Sequence, residues 1–198
     1  MKILAFTDTH GNKKAIDEII RKTKEENPDL LICCGDLSIF GEKLDVIAKK
    51  LNELNKKILI IPGNHETEEQ IRYISLKYKN IINLHKGLFE YNNHLFFGYG
   101  EGGFSTNDEK FERITAKLEK DLSKDKPLIL ILHAPPHKTN LDILQTGHVG
   151  NKSYRKFIEK VSPIIVLSGH IHENEKKQDK INTTLLINPG REGCIIEI

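Results

Sequence analysis

Cysteine is scarce in this chain, and its placement excludes a disulfide framework. The 198 residues include only Cys33, Cys34 and Cys194, an odd number in which two are adjacent and none forms a spaced metal-binding pair. Small secreted domains that depend on disulfides are rich in cysteine. We therefore expect three reduced thiols in the core of a cytoplasmic protein.

Long apolar runs and an excess of one charge are also missing. No stretch approaches the roughly 20 apolar residues of a membrane-spanning helix, and the apolar start runs directly into Asp8 and His10 with no small-residue cleavage site. The formal net charge is only +2. These features argue against a membrane or stable nucleic-acid binding, and they leave the oligomeric state open.

What the sequence does have is a repeated alternation of short apolar strands and amphipathic helices. Apolar segments predict buried strands at residues 2–6, 30–34, 58–61, 128–132 and 164–167. Helical spacing predicts helices at residues 13–27, 42–55, 68–78, 108–122 and 152–161. This order predicts an α/β fold, and the lack of a repeat or linker predicts one domain over residues 1–198.

Two segments have less regular patterns. The glycine-rich residues 98–107 predict a flexible loop, which either connects surface elements or gates a substrate site. The charge-rich residues 173–180 predict a solvated turn.

All five apolar strands end in residues that can hold a metal ion or move a proton. These residues are Asp8, His10, Asp36, Asn64, His65, His133, His170 and His172. Because ligands bind at the carboxyl ends of strands in open α/β sheets, we expect the eight side chains to converge. One Gly-Asn-His turn would be weak evidence, since such residues are common in loops. The recurrence of metal-binding residue types at five strand ends indicates a site.

The residue types favour two divalent transition-metal ions. In an extended segment residues i and i+2 share a face, so Asp8 with His10, and His170 with His172, can each address one point. Carboxylate, amide oxygen and imidazole together suit Mn, Fe or Zn better than Ca. A single structural site, the alternative, takes about four ligands and is normally Cys-rich. Two cations about 3.5 to 4 Å apart can generate hydroxide near neutral pH and neutralise charge on a phosphoryl group.

The strand ends also carry recognisable motifs in a characteristic order. They are Asp8-Thr9-His10, Gly35-Asp36, Gly63-Asn64-His65-Glu66, His133 and Gly169-His170-Ile171-His172. Together they resemble the motif set of the calcineurin-like metallophosphoesterases. The resemblance implies a four-layer α/β/β/α sandwich, in which two mixed β-sheets are flanked by helices and a dinuclear site lies at the sheet ends.

The resemblance also implies a role for each residue. The first ion would be held by Asp8, His10, Asp36 and His172. The second would be held by Asp36, Asn64, His133 and His170, with Asp36 bridging the two. His65 would not be a ligand and would stand near the leaving-group oxygen as a proton donor or transition-state stabiliser. The catalytic residues would be His65 and the bridging Asp36. The cofactors would be two divalent metal ions. Mn²⁺ is the expected metal, and Fe, Zn, Ni or Co are the alternatives.

Motifs further along the chain narrow the resemblance. The segments His133-Ala134-Pro135-Pro136, Gly147-His148-Val149-Gly150 and Asn188-Pro189-Gly190 resemble the small phosphodiesterase branch that includes the mammalian fetal-brain 239 proteins. That branch implies hydrolysis of phosphodiester bonds in a small phosphoester, with cyclic nucleotides among the candidates. Protein Ser/Thr phosphatases instead follow the Gly-Asp with Asp-Arg-Gly. Here the residues are Leu37-Ser38-Ile39-Phe40-Gly41, so the phosphate-binding Arg and the group that orients His65 are missing.

Two alternatives to a phosphodiesterase stay open. One is a phosphomonoesterase or protein phosphatase of the same fold. The other is a non-catalytic scaffold, although such proteins usually lose ligands and all eight positions are filled here. Some residues outside the motifs have weaker interpretations, with an ordinary surface role as the alternative for each: Lys138 and Arg191 as phosphate contacts, His137 and His148 as pocket residues, and Phe104 as a stacking partner for a base.

Overall fold

The computed structural model describes residues 1–101, 103–120, 122 and 125–198. Its strands are β1 (Lys2–Phe6), β2 (Leu30–Cys33), β3 (Lys57–Ile60), β4 (Ile81–Asn83), β5 (Leu88–Tyr91), β6 (His94–Tyr99), β7 (Leu128–Leu132), β8 (Ile143–Leu144), β9 (Gly147–His148), β10 (Ile165–Leu167), β11 (Gln178–Ile181), β12 (Thr184–Ile187) and β13 (Cys194–Glu197). Its helices are α1 (Lys13–Glu26), α2 (Leu44–Asn52), α3 (Glu68–Lys77), α4 (Glu109–Leu118), α5 (Lys152–Val161) and a 3₁₀ turn at His172–Asn174. Within these residues, no helix has the length and apolar character that crossing a bilayer requires.

Two main sheets organise the strands. The first has the order β13-β1-β2-β3-β4, in which β1 to β4 are parallel and β13 is antiparallel to β1. The second has the order β11-β12-β10-β7-β6-β5, with a parallel centre and antiparallel edges at β11 and β5. Both sheets are therefore mixed, and the parallel strands that precede the predicted site residues lie in their interiors.

Three apolar clusters separate the layers. Within β1, Leu4 and Phe6 pack toward helices α1 to α3, whereas Ile3 and Ala5 pack toward the second sheet. This division follows from the alternation of side chains along a strand. A third cluster joins the outer face of the second sheet to α4 and α5 through residues such as Phe111. The layers are helices, sheet, sheet and helices, which confirms the predicted four-layer sandwich.

Side-chain caps begin helices directly after the loops that carry the site. Asn12 Oδ1 accepts a hydrogen bond from the backbone nitrogen of Ala15 at the start of α1. At α3, Thr67 and Gln70 form a reciprocal capping box. These caps fix where the two loops end. The loop after β1 ends at Asn12, two residues beyond His10, and the loop after β3 ends at Thr67, one residue beyond Glu66.

The prediction for residues 173–180 was wrong in part. Gln178–Ile181 is strand β11 and pairs antiparallel with Thr184–Ile187, through a turn at Asn182 with φ 53°. The charges that suggested a solvated turn are those of an edge strand, where charged residues are common. Two predicted helices are also shorter than expected, because α2 begins only at Leu44 and α4 ends at Leu118. Part of the predicted extension of α4, and Gly102 of the glycine-rich loop, lie outside the described residues.

Candidate metal centre

The structure brings the seven predicted metal ligands together at the carboxyl ends of β1, β2, β3, β7 and β10. Asp8 and His10 follow β1, Asp36 follows β2, Asn64 follows β3, His133 follows β7, and His170 and His172 follow β10. The three carboxylate and imidazole groupings found here each place their candidate ligand atoms within 4.8 Å of one another. The centre thus takes residues from both sheets, at the edge where open α/β sheets bind ligands.

The backbone reaches this arrangement by left-handed turns rather than by extended segments. Asp8, His10, Asp36 and His170 have φ angles of 51°, 46°, 51° and 67°. The expectation that Asp8 with His10, and His170 with His172, share a face of an extended strand was therefore wrong in its geometry. The strands end before these residues, and the turns aim the side chains. Left-handed non-glycine residues are uncommon and concentrate at functional sites.

Two glycines in the motifs allow the close approach. A Cβ atom at Gly63 would lie 2.0 Å from Oδ1 of Asp36, and one at Gly169 would lie 2.2 Å from Oδ2 of Asp8. Any larger residue would collide with a carboxylate of the centre. The glycines of the Gly-Asn-His and Gly-His-Ile-His motifs are thus required by packing.

One half of the centre contains Asp8, His10 and His172. Nε2 of His172 lies 3.5 Å from Oδ1 of Asp8 and 3.0 Å from Nε2 of His10. Nε2 of His10 lies 3.8 Å from Oδ2 of Asp36. The other carboxylate oxygen of Asp8 accepts hydrogen bonds from Thr7 Oγ1 and the backbone nitrogen of His170. Oδ1 of Asp8 is buried without a hydrogen-bond partner among the described residues and faces the imidazoles.

The other half contains Asp36, Asn64, His133 and His170. Oδ1 of Asn64 lies 3.0 Å from Nε2 of His133 and 3.0 Å from Nδ1 of His170. Nε2 of His133 lies 3.5 Å from Oδ2 of Asp36. Asp36 has its Oδ2 within 4 Å of both His10 and His133, so it stands between the two halves.

The proton inventory shows that a cation fits this space. Nδ1 of His133 lies 2.9 Å from the carbonyl oxygen of Cys34, which can only accept, so in neutral His133 Nδ1 carries the ring proton and Nε2 presents a lone pair. That lone pair faces the oxygens of Asn64 and Asp36, which are acceptors as well. Converging acceptors without protons repel one another unless a positive charge lies between them. The unpartnered Oδ1 of Asp8 makes the same demand in the other half.

The electrostatics keep two of the ligands, Asp8 and His170, in their metal-binding protonation states. Burial raises the pKa of Asp8, but its interactions with His172, His133 and Thr7 outweigh this and lower it to about 2. Burial and the neighbouring His133 lower the pKa of His170 to about 4. At neutral pH Asp8 is therefore anionic and His170 is neutral, and these are the forms that bind metal ions.

Glu66 is a structural residue of the site that the sequence reasoning assigned no role. Its buried carboxylate accepts hydrogen bonds from the backbone nitrogens of Asp36, Ser38 and Gly63, and from Ser38 Oγ. It thereby joins the loops after β2 and β3, which deliver Asp36 and Asn64. Its place next to His65 in the Gly-Asn-His-Glu motif was the available signal.

His65 lies at the edge of the centre and is held by rings. Its ring centroid is 4.5 Å from that of Phe40 and 4.9 Å from that of His10. Its backbone nitrogen donates to Oδ1 of Asp36, while its buried Nδ1 has no hydrogen-bond partner among the described residues. The sequence predicted no residue that orients His65. In the structure, the ring of Phe40 lies next to it.

The residues with weaker predicted roles are placed as follows. Nε of Arg191 donates to Oε1 of Glu175 at 2.7 Å. Nδ1 of His148 lies 2.7 Å from Oδ1 of Asp142, and Nδ1 of His137 lies 3.6 Å from Oδ2 of the same carboxylate. The buried Asp142 also accepts from backbone nitrogens of residues 138, 139 and 150 and so holds this loop together. Phe104 contacts His170, with ring centroids 4.5 Å apart.

A second group of imidazole and carboxylates lies away from the strand ends. Nε2 of the buried His85 is 3.6 Å from Oε2 of Glu68 and 3.7 Å from Oε1 of Glu101. Nδ1 of His85 accepts a hydrogen bond of 2.9 Å from the backbone nitrogen of Gly100. Lys86 contacts Glu68, and Lys110 lies 3.1 Å from Glu101.

Comparison with known proteins adds independent information. A family model described as calcineurin-like phosphoesterase matches residues 1–174. The uncharacterized protein MJ1162 of Methanocaldococcus jannaschii is 36% identical over 207 residues, covering 99% of this chain and 91% of that protein. Among solved structures, TT1561 of Thermus thermophilus has a TM-score of 0.76 at 17% identity, covering 96% of this chain and 90% of that one. A dimetal phosphatase from Danio rerio has a TM-score of 0.63 at 11% identity, with coverages of 94% and 86%. An archaeal phosphodiesterase has a TM-score of 0.56 at 21% identity, with coverages of 96% and 84%.

Proposed function

The chain belongs to the calcineurin-like phosphoesterases, which makes it a metal-dependent hydrolase of phosphoric ester bonds, and we propose that its substrates are phosphodiesters. The fold does not choose between diesters and monoesters, since a phosphodiesterase and a dimetal phosphatase both share it. The observation that carries the proposal is the loop after Asp36. It presents Phe40 to His65, where a protein phosphatase would have an Arg to bind the doubly charged monoester.

The proposed ligand sets divide the centre at Asp36. Asp8, His10, Asp36 and His172 would hold one divalent ion, and Asp36, Asn64, His133 and His170 would hold the other, with Mn²⁺ as the proposed metal. Bound divalent ions of this kind supply Lewis acidity to phosphoryl oxygens and lower the pKa of water. The short distances from Asp36 Oδ2 to His10 and His133 support its place between the sets.

The chain's own residues position these groups and move the proton. The hydrogen bond from His133 Nδ1 to Cys34 fixes the tautomer that presents Nε2 to the centre. Phe40 and His10 hold the ring of His65 at the rim. From there the imidazole of His65 donates a proton to the departing ester oxygen, a step that a positioned imidazole accelerates about 10²- to 10⁴-fold. We propose that residues 1–198 form one domain and that this domain carries out the reaction.

A pair of substrates tests the proposal. Purified protein loaded with Mn²⁺ is expected to hydrolyse bis(p-nitrophenyl) phosphate, to lose this activity in chelator, and to hydrolyse p-nitrophenyl phosphate more slowly on the same preparation. Faster turnover of the monoester would make the protein a phosphomonoesterase. No turnover of either ester would favour a non-catalytic scaffold.

A variant separates proton donation from metal binding. His65→Ala is expected to keep the wild-type metal content, measured by elemental analysis, and to lower the rate about 10²- to 10⁴-fold. Because the proton matters least for a good leaving group, the loss should be greater for a diester with an alkyl leaving group than for the p-nitrophenyl ester. Equal losses on both esters would contradict the role of His65 as a proton donor.

A further inference from the structure

Two exposed phenylalanines lie against two imidazoles of the centre, those of His65 and His170. Phe40 is 75% exposed and its ring centroid is 4.5 Å from that of His65. Phe104 is 66% exposed and its ring centroid is 4.5 Å from that of His170. Large apolar side chains are usually removed from water on folding. Here each phenyl ring keeps most of its surface in water beside the site.

The backbone at Phe40 is arranged at a cost. Glu42 donates a backbone hydrogen bond of 2.8 Å to Ile39, and the two central residues of this turn, Phe40 and Gly41, have φ angles of 48° and 79°. Positive φ at both central positions is typical of type I′ turns, which favour Asn-Gly. A bulky residue with positive φ is an outlier. The turn therefore presents a phenyl ring at its tip where Asn would be more stable.

The loop that carries Phe104 is fixed on both sides of it. Before it, Gly100 donates its backbone hydrogen bond to Nδ1 of His85. After it, the backbone oxygens of Ser105 and Thr106 accept hydrogen bonds of 2.8 Å from Asn151 Nδ2 and from the backbone nitrogen of Lys152. The contact between Phe104 and His170 thus belongs to a loop that is hydrogen-bonded to the β4–β5 connection and to the start of α5.

From these observations we propose that Phe40 and Phe104 are specificity-determining residues, each of which binds a planar aromatic ring on one ester group of the substrate. In biological phosphoesters such a ring is a nucleobase. The inference rests on the proposed function, because it concerns the ester groups around the scissile phosphate. Phe40 follows a strand of the first sheet and reaches the half of the centre that contains His10 through His65. Phe104 follows a strand of the second sheet and reaches the half that contains His133 through His170. Phenyl rings stack on every base alike, so the site selects for a base without strongly preferring one.

A pair of product-like ligands isolates the contribution of the base. Adenosine monophosphate and ribose 5-phosphate share the sugar and phosphate and differ only in the base. Titration calorimetry on the Mn²⁺-loaded protein is expected to show that adenosine monophosphate binds at least about tenfold more tightly than ribose 5-phosphate. Base stacking on aromatic side chains commonly gives a difference of this size. Guanosine and uridine monophosphates should bind within a few-fold of it.

Three variants assign the preference to the two rings. Adenosine monophosphate carries one base, so the affinity ratio of the two ligands should fall severalfold in whichever of Phe40→Asn and Phe104→Ala removes the ring that this base contacts. In the double variant the ratio should approach one, and a wild-type ratio in the double variant would overturn the proposal. Leu76→Ala is the matched control, since Leu76 is 78% exposed on α3 and has no role in the site. This control should keep the wild-type ratio.

Stability distinguishes ligand binding from a structural role of Phe40. Because Asn suits the left-handed position, Phe40→Asn should raise the midpoint of thermal unfolding, by roughly 2 to 4 °C. A lower midpoint would show that the phenyl ring stabilises the fold, and would overturn the proposal for Phe40. So would a change of oligomeric state on size exclusion, which would make the ring part of an interface.

The binding test does not depend on turnover. Hydrolysis of diesters with an affinity ratio near one would overturn the aromatic site and leave the proposed function intact. A ratio that depends on Phe40 and Phe104 in a protein that hydrolyses no diester would overturn the proposed function alone.

Discussion

Two regions of the molecule place a buried imidazole beside carboxylates, at His133 in the centre and at His85 beside Glu68 and Glu101. Behind His133 stands the carbonyl oxygen of Cys34, which in neutral His133 places the ring proton on Nδ1 and leaves a lone pair on Nε2. Behind His85 stands the backbone nitrogen of Gly100, which needs Nδ1 as an acceptor. In neutral His85 the proton is therefore on Nε2, the atom that faces the carboxylates.

Neighbouring charges complete this difference. Lys86 and Lys110 already neutralise Glu68 and Glu101, whereas Oδ1 of Asp8 is buried and unpartnered in the described structure. In both regions the candidate ligand atoms lie within 4.8 Å of one another. The hydrogen bond at the far nitrogen of each imidazole therefore decides whether a group of His, Asp and Glu can accept a cation.

The largest predicted effect is at Asp36. Asp36→Asn keeps the size of the side chain and an acceptor for the backbone nitrogen of His65, but it removes the charge between the two halves. We expect the rate of diester hydrolysis to fall more than about 100-fold, since even changes behind the ligands cost 10- to 100-fold. The rate is to be measured at saturating Mn²⁺. Activity within a few-fold of wild type would show that the carboxylate is not shared by two ions.

Glu66→Gln tests the layer behind the ligands directly. The substitution turns one acceptor oxygen into an NH₂ group that faces the backbone donors of residues 36, 38 and 63. We expect the free energy of unfolding to fall by about 1–3 kcal/mol and Mn²⁺ affinity to fall 10- to 100-fold. Denaturant unfolding and metal titration measure the two. Wild-type metal affinity in a destabilised variant would separate Glu66 from the centre.

The smallest effect is predicted at His85, as a dependence of stability on pH. Burial lowers the pKa of His85 to about 4 from its usual 6.5, so between these pH values the unfolded chain binds a proton that the folded protein does not. The stability that this group contributes is therefore present above pH 6.5 and is lost as the pH falls toward 4. His85→Asn removes the titrating ring.

The matching measurement is the unfolding free energy of metal-free protein, wild type against His85→Asn, from pH 7.5 to 4.5. The wild-type advantage is expected to shrink as the pH falls. A constant difference over the whole range would mean that His85 does not titrate in this way.

The sequence sufficed for the fold and for the convergence of the candidate ligands, because both follow from local rules. Apolar strands with polar carboxyl ends predict parallel sheets, and parallel sheets bring those ends together. The motif order added the four-layer arrangement through resemblance. Asp8 and His170 could be placed in one site without knowing any backbone angle.

Other features depend on contacts between distant residues. The role of Glu66 exists only because three backbone nitrogens from two loops surround its carboxylate. Phe40 drew no functional prediction, since its meaning comes from a left-handed turn beside His65. Strand β11 was missed because its charges lie on an edge, where composition resembles that of a turn.

The most direct test of the account is a count of metal ions per chain. Native mass spectrometry of Mn²⁺-loaded protein is predicted to show two ions on the wild type, two on His85→Asn and at most one on Asp36→Asn. The account would be contradicted if the wild type bound no ion. It would also be contradicted if Asp36→Asn retained two ions while His85→Asn lost them.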